Sequence, residues 1–182
     1  MPIRITGGLL RGRNVPSPDS SKTRPTGSRT REALFNILQN VENFRVLDLF
    51  AGTGIIGIEA LSRGASSVVA VEMAHSQARL VYQAYKALSL ESKITLLEKN
   101  ALTLEKELLC SESGFDLIYA DPPFKNMDYP DLRPFWQWLN PGGVAVFEAP
   151  SRNLPAWAKE ASDAGTVQIR RYGESSLVVY RG

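Results

Sequence analysis

The sequence predicts an α/β fold, a mostly parallel seven-stranded sheet covered by helices on both faces. Three observations carry that expectation. Short apolar runs at 45–50, 67–72, 93–98, 115–120 and 141–149 alternate with segments of helical periodicity, the pattern that buries a parallel sheet between two helical layers. The first run, "VLDLFAGTGIIG", ends in glycines Gly52, Gly54 and Gly57, the signature of a strand, a tight turn and a helix. The last two extended runs, 165–172 and 175–181, follow one another with no helix between them, which suits a terminal antiparallel hairpin.

Ahead of this body stands an N-terminal arm. Residues 3–15 read as two extended pieces, Arg4–Thr6 and one around Arg13–Val15, joined through Gly7, Gly8 and Gly12. They predict a β-hairpin with Arg11 and Arg13 on one strand face. The Pro/Ser/Gly-rich stretch that follows predicts a loop, so that 1–24 form arm and linker and 25–182 the main domain. Ser28 is the expected N-cap of a helix over 28–40, with Leu34, Ile37, Leu38 and Val41 at i, i+3, i+4 and i+7. Further helices are expected at 55–63, at 75–89 (apolar Ala78, Val81, Tyr82, Tyr85), near 101–109, around 131–139 and at 153–163.

Composition narrows the function. The chain has 182 residues, 43% of them hydrophobic, enough for one domain with a real core. One cysteine, Cys110, and one histidine, His75, make neither a disulfide nor a zinc cluster, and no metal is expected. No apolar run approaches the roughly 18 residues that span a bilayer. The N-terminus lacks a secretory core, so the expected address is cytoplasmic. Residues 1–31 carry seven basic side chains (Arg4, Arg11, Arg13, Lys22, Arg24, Arg29, Arg31) against one acid, a net +6, whereas the remainder holds 14 basic and 18 acidic, a net −4. A basic arm on an acidic body suits a polyanion partner, with a solvated tail as the bland alternative.

In an open parallel sheet, ligands bind beyond the carboxyl ends of the strands, where strand order reverses. Four strand ends are therefore candidates: Asp48–Gly54, Glu72, Asn100 and Asp121–Phe124. Gly52, Gly54 and Gly57 match the G-x-G-x-x-G of dinucleotide sites, but Asp48 does not suit a strand that such sites keep apolar. A carboxylate there is costly unless loop N–H groups or a cationic ligand satisfy it. Glu72, 20 residues after Gly52, is placed to accept hydrogen bonds from ribose hydroxyls, and Asn100 to pair with an adenine edge. In "DPPF", Pro122 and Pro123 fix the backbone and remove two N–H donors. The Asp121 carboxylate and the Pro122 carbonyl remain as acceptors, with Phe124 as a flat apolar face. That set suits a planar base bearing an exocyclic NH₂.

"DLFAGTG", a downstream acidic strand end and "DPPF" together resemble the class I S-adenosylmethionine-dependent methyltransferases that modify exocyclic amines, a Rossmann-like fold. With "RITGGLLRGR" and "RPTGSRTREALFNIL" the resemblance is to the RsmD family, and it covers nearly the whole chain. It implies methylation of the N2 of a guanine in 16S ribosomal RNA, guanine 966 in the resembled family, within an assembled or partly assembled small subunit; a monomer is the simpler expectation for the chain itself. The donor S-adenosyl-L-methionine would meet Asp48, Gly52, Gly54, Glu72 and Asn100, with Arg24, Pro25 and Thr26 closing over it. The target base would meet Asp121, Pro122, Pro123 and Phe124, and the RNA would meet Arg4, Arg11, Arg13, Arg29 and Arg31. "RPTGSR" has Gly27 and Ser28 where the family has Thr then Asp. The rivals are a DNA or other RNA amine methyltransferase, a nicotinamide-dependent oxidoreductase, which leaves Asp48 and DPPF unexplained, and a non-catalytic RNA-binding module.

Overall fold

A computed structural model describes residues 3–15, 27–105, 114–123 and 129–182. The chain order is β1 (Ile3–Arg4), β2 (Asn14–Val15), α1 (Ser28–Leu38), β3 (Arg45–Asp48), α2 (Ile55–Ser62), β4 (Ser67–Val71), α3 (His75–Ala87), β5 (Ile94–Leu97), β6 (Phe115–Ala120), β7 (Leu139–Pro150), α4 (Ala156–Asp163), β8 (Val167–Tyr172) and β9 (Ser175–Arg181). β3 to β9 form one sheet in the order β5-β4-β3-β6-β7-β9-β8. The first five are parallel, and β9 enters antiparallel between β7 and β8. This is the expected architecture, a Rossmann-like sheet with a terminal hairpin.

The chain leaves β3 toward β4 and β5, then crosses back to place β6 on the other side of β3. That reversal puts the switch point between the carboxyl ends of β3 and β6. Side-chain alternation sends Val46 and Asp48 to one face and Leu47 and Leu49 to the other. Val46 joins a core under α1, α2 and α3, with Leu34, Ile58, Val81 and Tyr85. Leu47 and Leu49 join a second core, with Phe115, Phe147 and Trp157.

Several elements differ from expectation. Gly27, not Ser28, is the N-cap of α1, and no side chain caps that end. Residues 133–138 form a 3₁₀ helix rather than an α-helix. It has Pro134 in its first turn, and the strand begins directly at Leu139, leaving no room for a longer element. Only a 3₁₀ turn, Ala101–Thr103, stands at the start of the expected 101–109 helix, and 106–113 lie outside the described residues. Tyr82 is 46% exposed, so the buried stripe of α3 is Ala78, Val81, Ala84 and Tyr85.

The described part of the arm is fastened to the body. Ile3, Ile5 and Val15 are buried in the same core as α1 and α2. Arg11 lies in the turn rather than on a strand, so it shares no strand face with Arg13. The turn is pinned to the end of α2: Leu9 N–H donates to the Ser62 carbonyl (2.7 Å), Leu10 N–H to Ser62 Oγ (2.9 Å), and Ser62 Oγ–H to the Gly7 carbonyl (2.6 Å). Gly8 has φ +76°, and a Cβ there would stand 1.9 Å from the Ser62 carbonyl oxygen.

Gly57 serves packing rather than ligand approach. A Cβ on it would lie 2.1 Å from Tyr85 Oη and 2.8 Å from Val68 Cγ1, so its absence lets α2 sit tightly against α3 and the sheet. Gly57→Ala is expected to destabilise the chain by about 1–3 kcal/mol through overpacking, seen as a lower urea midpoint at unchanged m-value.

Candidate active site

The glycine turn is shaped by backbone and by one carboxylate. Gly52 and Gly54 both take positive φ, 54° and 74°, a region that glycine enters without steric cost. Gly54 N–H donates to the Ala51 carbonyl (2.7 Å), and the Gly54 carbonyl starts α2 by accepting from Ile58 (3.1 Å). Glu72, just beyond β4, spans the turn and its own strand end. Its Oε2 accepts from Gly52 N–H (3.1 Å) and its Oε1 from Ala74 N–H (2.9 Å). Each carboxylate oxygen keeps a further lone pair for a ligand hydroxyl. Gln77, on the first turn of α3, donates from Nε2 to the Gly52 carbonyl. Thus Gly52 is held on both sides, by an acceptor from β4 and a donor from α3.

Asp48 ends β3 beneath this turn, 1% exposed. Neither Oδ has a hydrogen-bond partner of normal geometry. Burial pushes its carboxyl up to about 7 from 3.8, with a smaller upward push from Glu72, while the nearby Phe50 N–H pulls it back somewhat. A buried carboxyl with both oxygens unsatisfied is a site waiting for a cation or a donor. The sign for stability follows. The folded value is raised, so the contribution is fully present below the unfolded value near 4 and is lost as pH rises toward 7. At about 1.4 kcal/mol per unit, the ligand-free chain loses on the order of 4 kcal/mol across that window. Asp48→Asn is expected to escape this loss. Denaturant unfolding of the ligand-free chain should find it more stable than wild type at pH 8, with the gap closing toward pH 4.

Beyond β4 and β5, two apolar side chains stand in solvent where the strand ends meet the ligand space, Met73 at 71% exposure and Leu102 at 50%. They offer an apolar bed for a flat ring. Asn100 Oδ1 accepts from Leu102 N–H (3.0 Å) and so caps the 3₁₀ turn, which aims its amide away from the turn. At the rim, His75 Nδ1 and Glu98 Oε2 approach to 2.5 Å.

Across the switch point, Asp48 pairs with Tyr119 of β6, and Leu49 N–H donates to the Tyr119 carbonyl (2.9 Å). This register sets Asp121, two residues on, beside the start of the glycine turn. Asp121 is half-buried, Pro122 buried and Pro123 exposed. Phe124, Arg24, Pro25 and Thr26 lie outside the described residues.

The five arginines expected at RNA do not form one group. Arg4, Arg11, Arg13 and Arg29 are exposed. Arg31 is 3% exposed; its Nη2 donates to the Arg4 carbonyl (2.9 Å) and its Nε stands 3.6 Å from Glu59 Oε2. A guanidinium so enclosed cannot reach a phosphate, and Arg31 is instead a tie between arm and body. The arm's turn also sits at the far end of α2 from Gly54, about 12 Å along the helix axis, so the structure separates the arm's Arg4, Arg11 and Arg13 from the strand ends.

Met73, Leu102 and Gln77 are not marked by the sequence, and Tyr85 is marked there only as a core residue of its helix. The residue after an acidic strand end is where exposed Met73 was to be sought. Nothing in the spacing marks Leu102 or Gln77.

With this geometry in view, comparison with known proteins is decisive on family. The family model described as Conserved hypothetical protein 95 matches residues 3–181. The chain belongs to this family. The ribosomal RNA small subunit methyltransferase D of Escherichia coli is 37% identical over 124 residues, 68% of this chain and 61% of that protein. The chain thus spans about three fifths of the length of the curated relatives it first matches. The putative rRNA methyltransferase YlbH of Bacillus subtilis is 29% identical over 98% of both chains. Among solved structures, a putative methyltransferase, yhhF, from Escherichia coli superimposes with a TM-score of 0.74 at 27% identity, covering 100% of this chain and 98% of that one. The RsmD-family resemblance of the motifs therefore holds along the whole chain.

Proposed function

We propose that the chain transfers a methyl group from S-adenosyl-L-methionine to the exocyclic N2 of a guanine in 16S ribosomal RNA. The observation that carries the proposal is the switch point itself: an unsatisfied buried Asp48 under a glutamate-clamped glycine turn, with Asp121-Pro122-Pro123 directly across from it. A dinucleotide site explains the turn but neither Asp48 nor the two prolines.

The residues present fit the donor. Asp48 would hold the donor's ammonium group, Glu72 would accept from its ribose hydroxyls, and Met73, Leu102 and Asn100 would receive its adenine. Arg24 and Thr26 are proposed to close over it. The donor supplies an electrophilic methyl on sulfonium sulfur. The guanine N2 lone pair is delocalised into the ring, and the chain corrects this by positioning. Asp121 and the Pro122 carbonyl would accept hydrogen bonds from the two N2–H groups, favour positive charge growing on nitrogen and turn the lone pair toward the methyl; the N–C bond formed replaces the donor's S–C bond, and the N2 proton lost leaves to Asp121 or to solvent. Pro123 keeps the loop rigid, and Phe124 is proposed to stack on the base.

Arg4, Arg11, Arg13 and Arg29 would hold phosphate, supplying affinity that falls with salt but little sequence choice. Because the arm's Arg4, Arg11 and Arg13 lie away from the strand ends, an RNA that meets both would span them, which favours a structured substrate such as an assembled or partly assembled small subunit over a short strand. Arg11→Glu with Arg13→Glu is expected to weaken RNA binding about tenfold or more at moderate salt and to flatten its salt dependence, measured by filter binding, with S-adenosylhomocysteine binding unchanged. A ribosomal substrate supports a cytoplasmic address, and a monomer is the state we propose; no helix among the described residues is long and apolar enough to cross a membrane.

The direct test is tritium transfer from labelled S-adenosyl-L-methionine to small subunits, to naked 16S RNA and to duplex DNA. Label should enter 16S RNA, most readily in subunits. Label in DNA alone, or in no nucleic acid, would overturn the proposal.

A further inference from the structure

Beneath the glycine turn lie two buried polar groups that the fold leaves without partners. Tyr85 is wholly buried on α3, and its Oη has no hydrogen-bond partner. Asp48 Oδ1 and Oδ2 share that condition. Both lie on one side of the sheet. Asp48 shares its face with Val46, Val46 pairs with Val68, and Tyr85 Oη and Val68 Cγ1 both crowd the space over Gly57. The Tyr85 ring also abuts Gly54, with Cε2 3.1 Å from where its Cβ would be. The ring thus underlies the turn whose first strand Asp48 ends. Burial, and to a lesser extent the Asp48 charge, disfavours ionising Tyr85 and keeps its hydroxyl protonated. A neutral tyrosine is a donor, and an ionised carboxylate beside it is an acceptor. Each unsatisfied group is costly unless it finds the other or an enclosed water.

We propose that Tyr85 is a positioning residue of the donor site, its hydroxyl donating to the Asp48 carboxylate through one enclosed water and aiming that carboxylate at the cation of the bound donor. The proposal rests on the reading that Asp48 lines the donor site. The ionisable groups that face Asp48 are otherwise engaged: Glu72 with the Gly52 and Ala74 N–H groups, and Tyr119, its register partner on β6, through its hydroxyl with Glu148 of β7 (2.8 Å). Among the described residues, Tyr85 carries a buried hydroxyl without a partner on the same side of the sheet. The same hydroxyl explains Gly57, which is bare where a methyl would press on it. In the ligand-free chain Asp48 holds its proton toward neutral pH. Binding of a cation releases that proton to solvent, and the Tyr85 hydroxyl stabilises the carboxylate left behind.

The test is calorimetric titration of the full chain with S-adenosylhomocysteine from pH 5.5 to 8.5, in two buffers of different ionisation enthalpy. It compares wild type, Tyr85→Phe, Asp48→Asn and the double variant. Phe removes an unpartnered hydroxyl and keeps the ring, and circular dichroism reports the fold; Tyr85→Met carries the same comparison should the Phe variant not fold. The expected result is proton release on binding to wild type near pH 6.5, and a roughly five- to tenfold weaker Kd at pH 7 for Tyr85→Phe. Its affinity profile should shift by at least half a pH unit to higher pH. In the Asp48→Asn background, Tyr85→Phe should change Kd less than twofold. Equal affinity of Tyr85→Phe and wild type at every pH, or the same loss in both backgrounds, would make Tyr85 a packing residue only. Asp48→Asn binding as tightly as wild type would instead remove Asp48 from the donor site, and the proposal with it.

Discussion

Replacing Asp121 with alanine is expected to slow methyl transfer to RNA by about 10²–10³-fold, the usual cost of deleting one preorganised group that acts on developing charge. The Kd for S-adenosylhomocysteine should change less than twofold. The separation of effects comes from the topology. Asp121 stands at the end of β6, whereas the groups proposed to hold the donor stand at the ends of β3, β4 and β5. Single-turnover kinetics with saturating donor isolates the chemical step from donor binding. Asp121→Asn keeps an acceptor oxygen but loses the charge, so an intermediate rate there assigns part of the effect to electrostatics, and a rate equal to that of Ala assigns it to the charge as a whole. Turnover by Asp121→Ala comparable to wild type would remove this residue from the mechanism.

Replacing Glu59 with alanine is expected to destabilise the chain by about 3–5 kcal/mol, the cost of breaking a buried ion pair from one side. Glu59 is fully buried on α2. It accepts from Thr6 N–H (3.1 Å), from the Thr6 hydroxyl, and from Arg63 Nη2 (2.9 Å) and Nε (3.2 Å), with Arg31 Nε at 3.6 Å. One carboxylate therefore joins the arm, the start of α1 and the end of α2. Its removal leaves the buried Arg31 without this counter-charge and the Thr6 N–H without its acceptor. The loss should appear in urea unfolding, together with faster proteolysis within residues 3–15, and Glu59→Gln should recover part of it by keeping the acceptor. A change below 1 kcal/mol would mean that apolar burial of Ile3, Ile5 and Val15 alone fastens the arm.

What the sequence revealed, and what it did not, follows from the range of the forces involved. The alternation of apolar runs with helical segments is local, so the order and type of the sheet's elements could be read directly, as could the cost of a carboxylate at Asp48 and the rigidity of Asp121-Pro122-Pro123. Leu34, Ile37 and Leu38 of α1, and Val41 three residues beyond its end, are buried as their spacing predicts. Arg31 misled because a charge count cannot see Glu59, 28 positions on, folded against it. Gly57 looked like part of a ligand loop because its reason, the Tyr85 hydroxyl, comes from another helix. Tyr82 fits the same periodicity as Val81 and Tyr85 but falls at the edge of the stripe. Clamping of Gly52 by Glu72 and Gln77 depends on the β3–β4 register and on where α3 starts, and neither is written in spacing.

The central claim, that these strand ends join a methyl donor to the exocyclic amine of a guanine, is tested most directly by identifying the product. Small subunits lacking the modification are incubated with the chain and labelled S-adenosyl-L-methionine, and the 16S RNA is digested to nucleosides and resolved by mass spectrometry. The account predicts N2-methylguanosine as the labelled product, formed by wild type and strongly reduced with Asp121→Ala. Label in a ring-carbon-methylated or ribose-methylated nucleoside, or in methyladenosine, would contradict it.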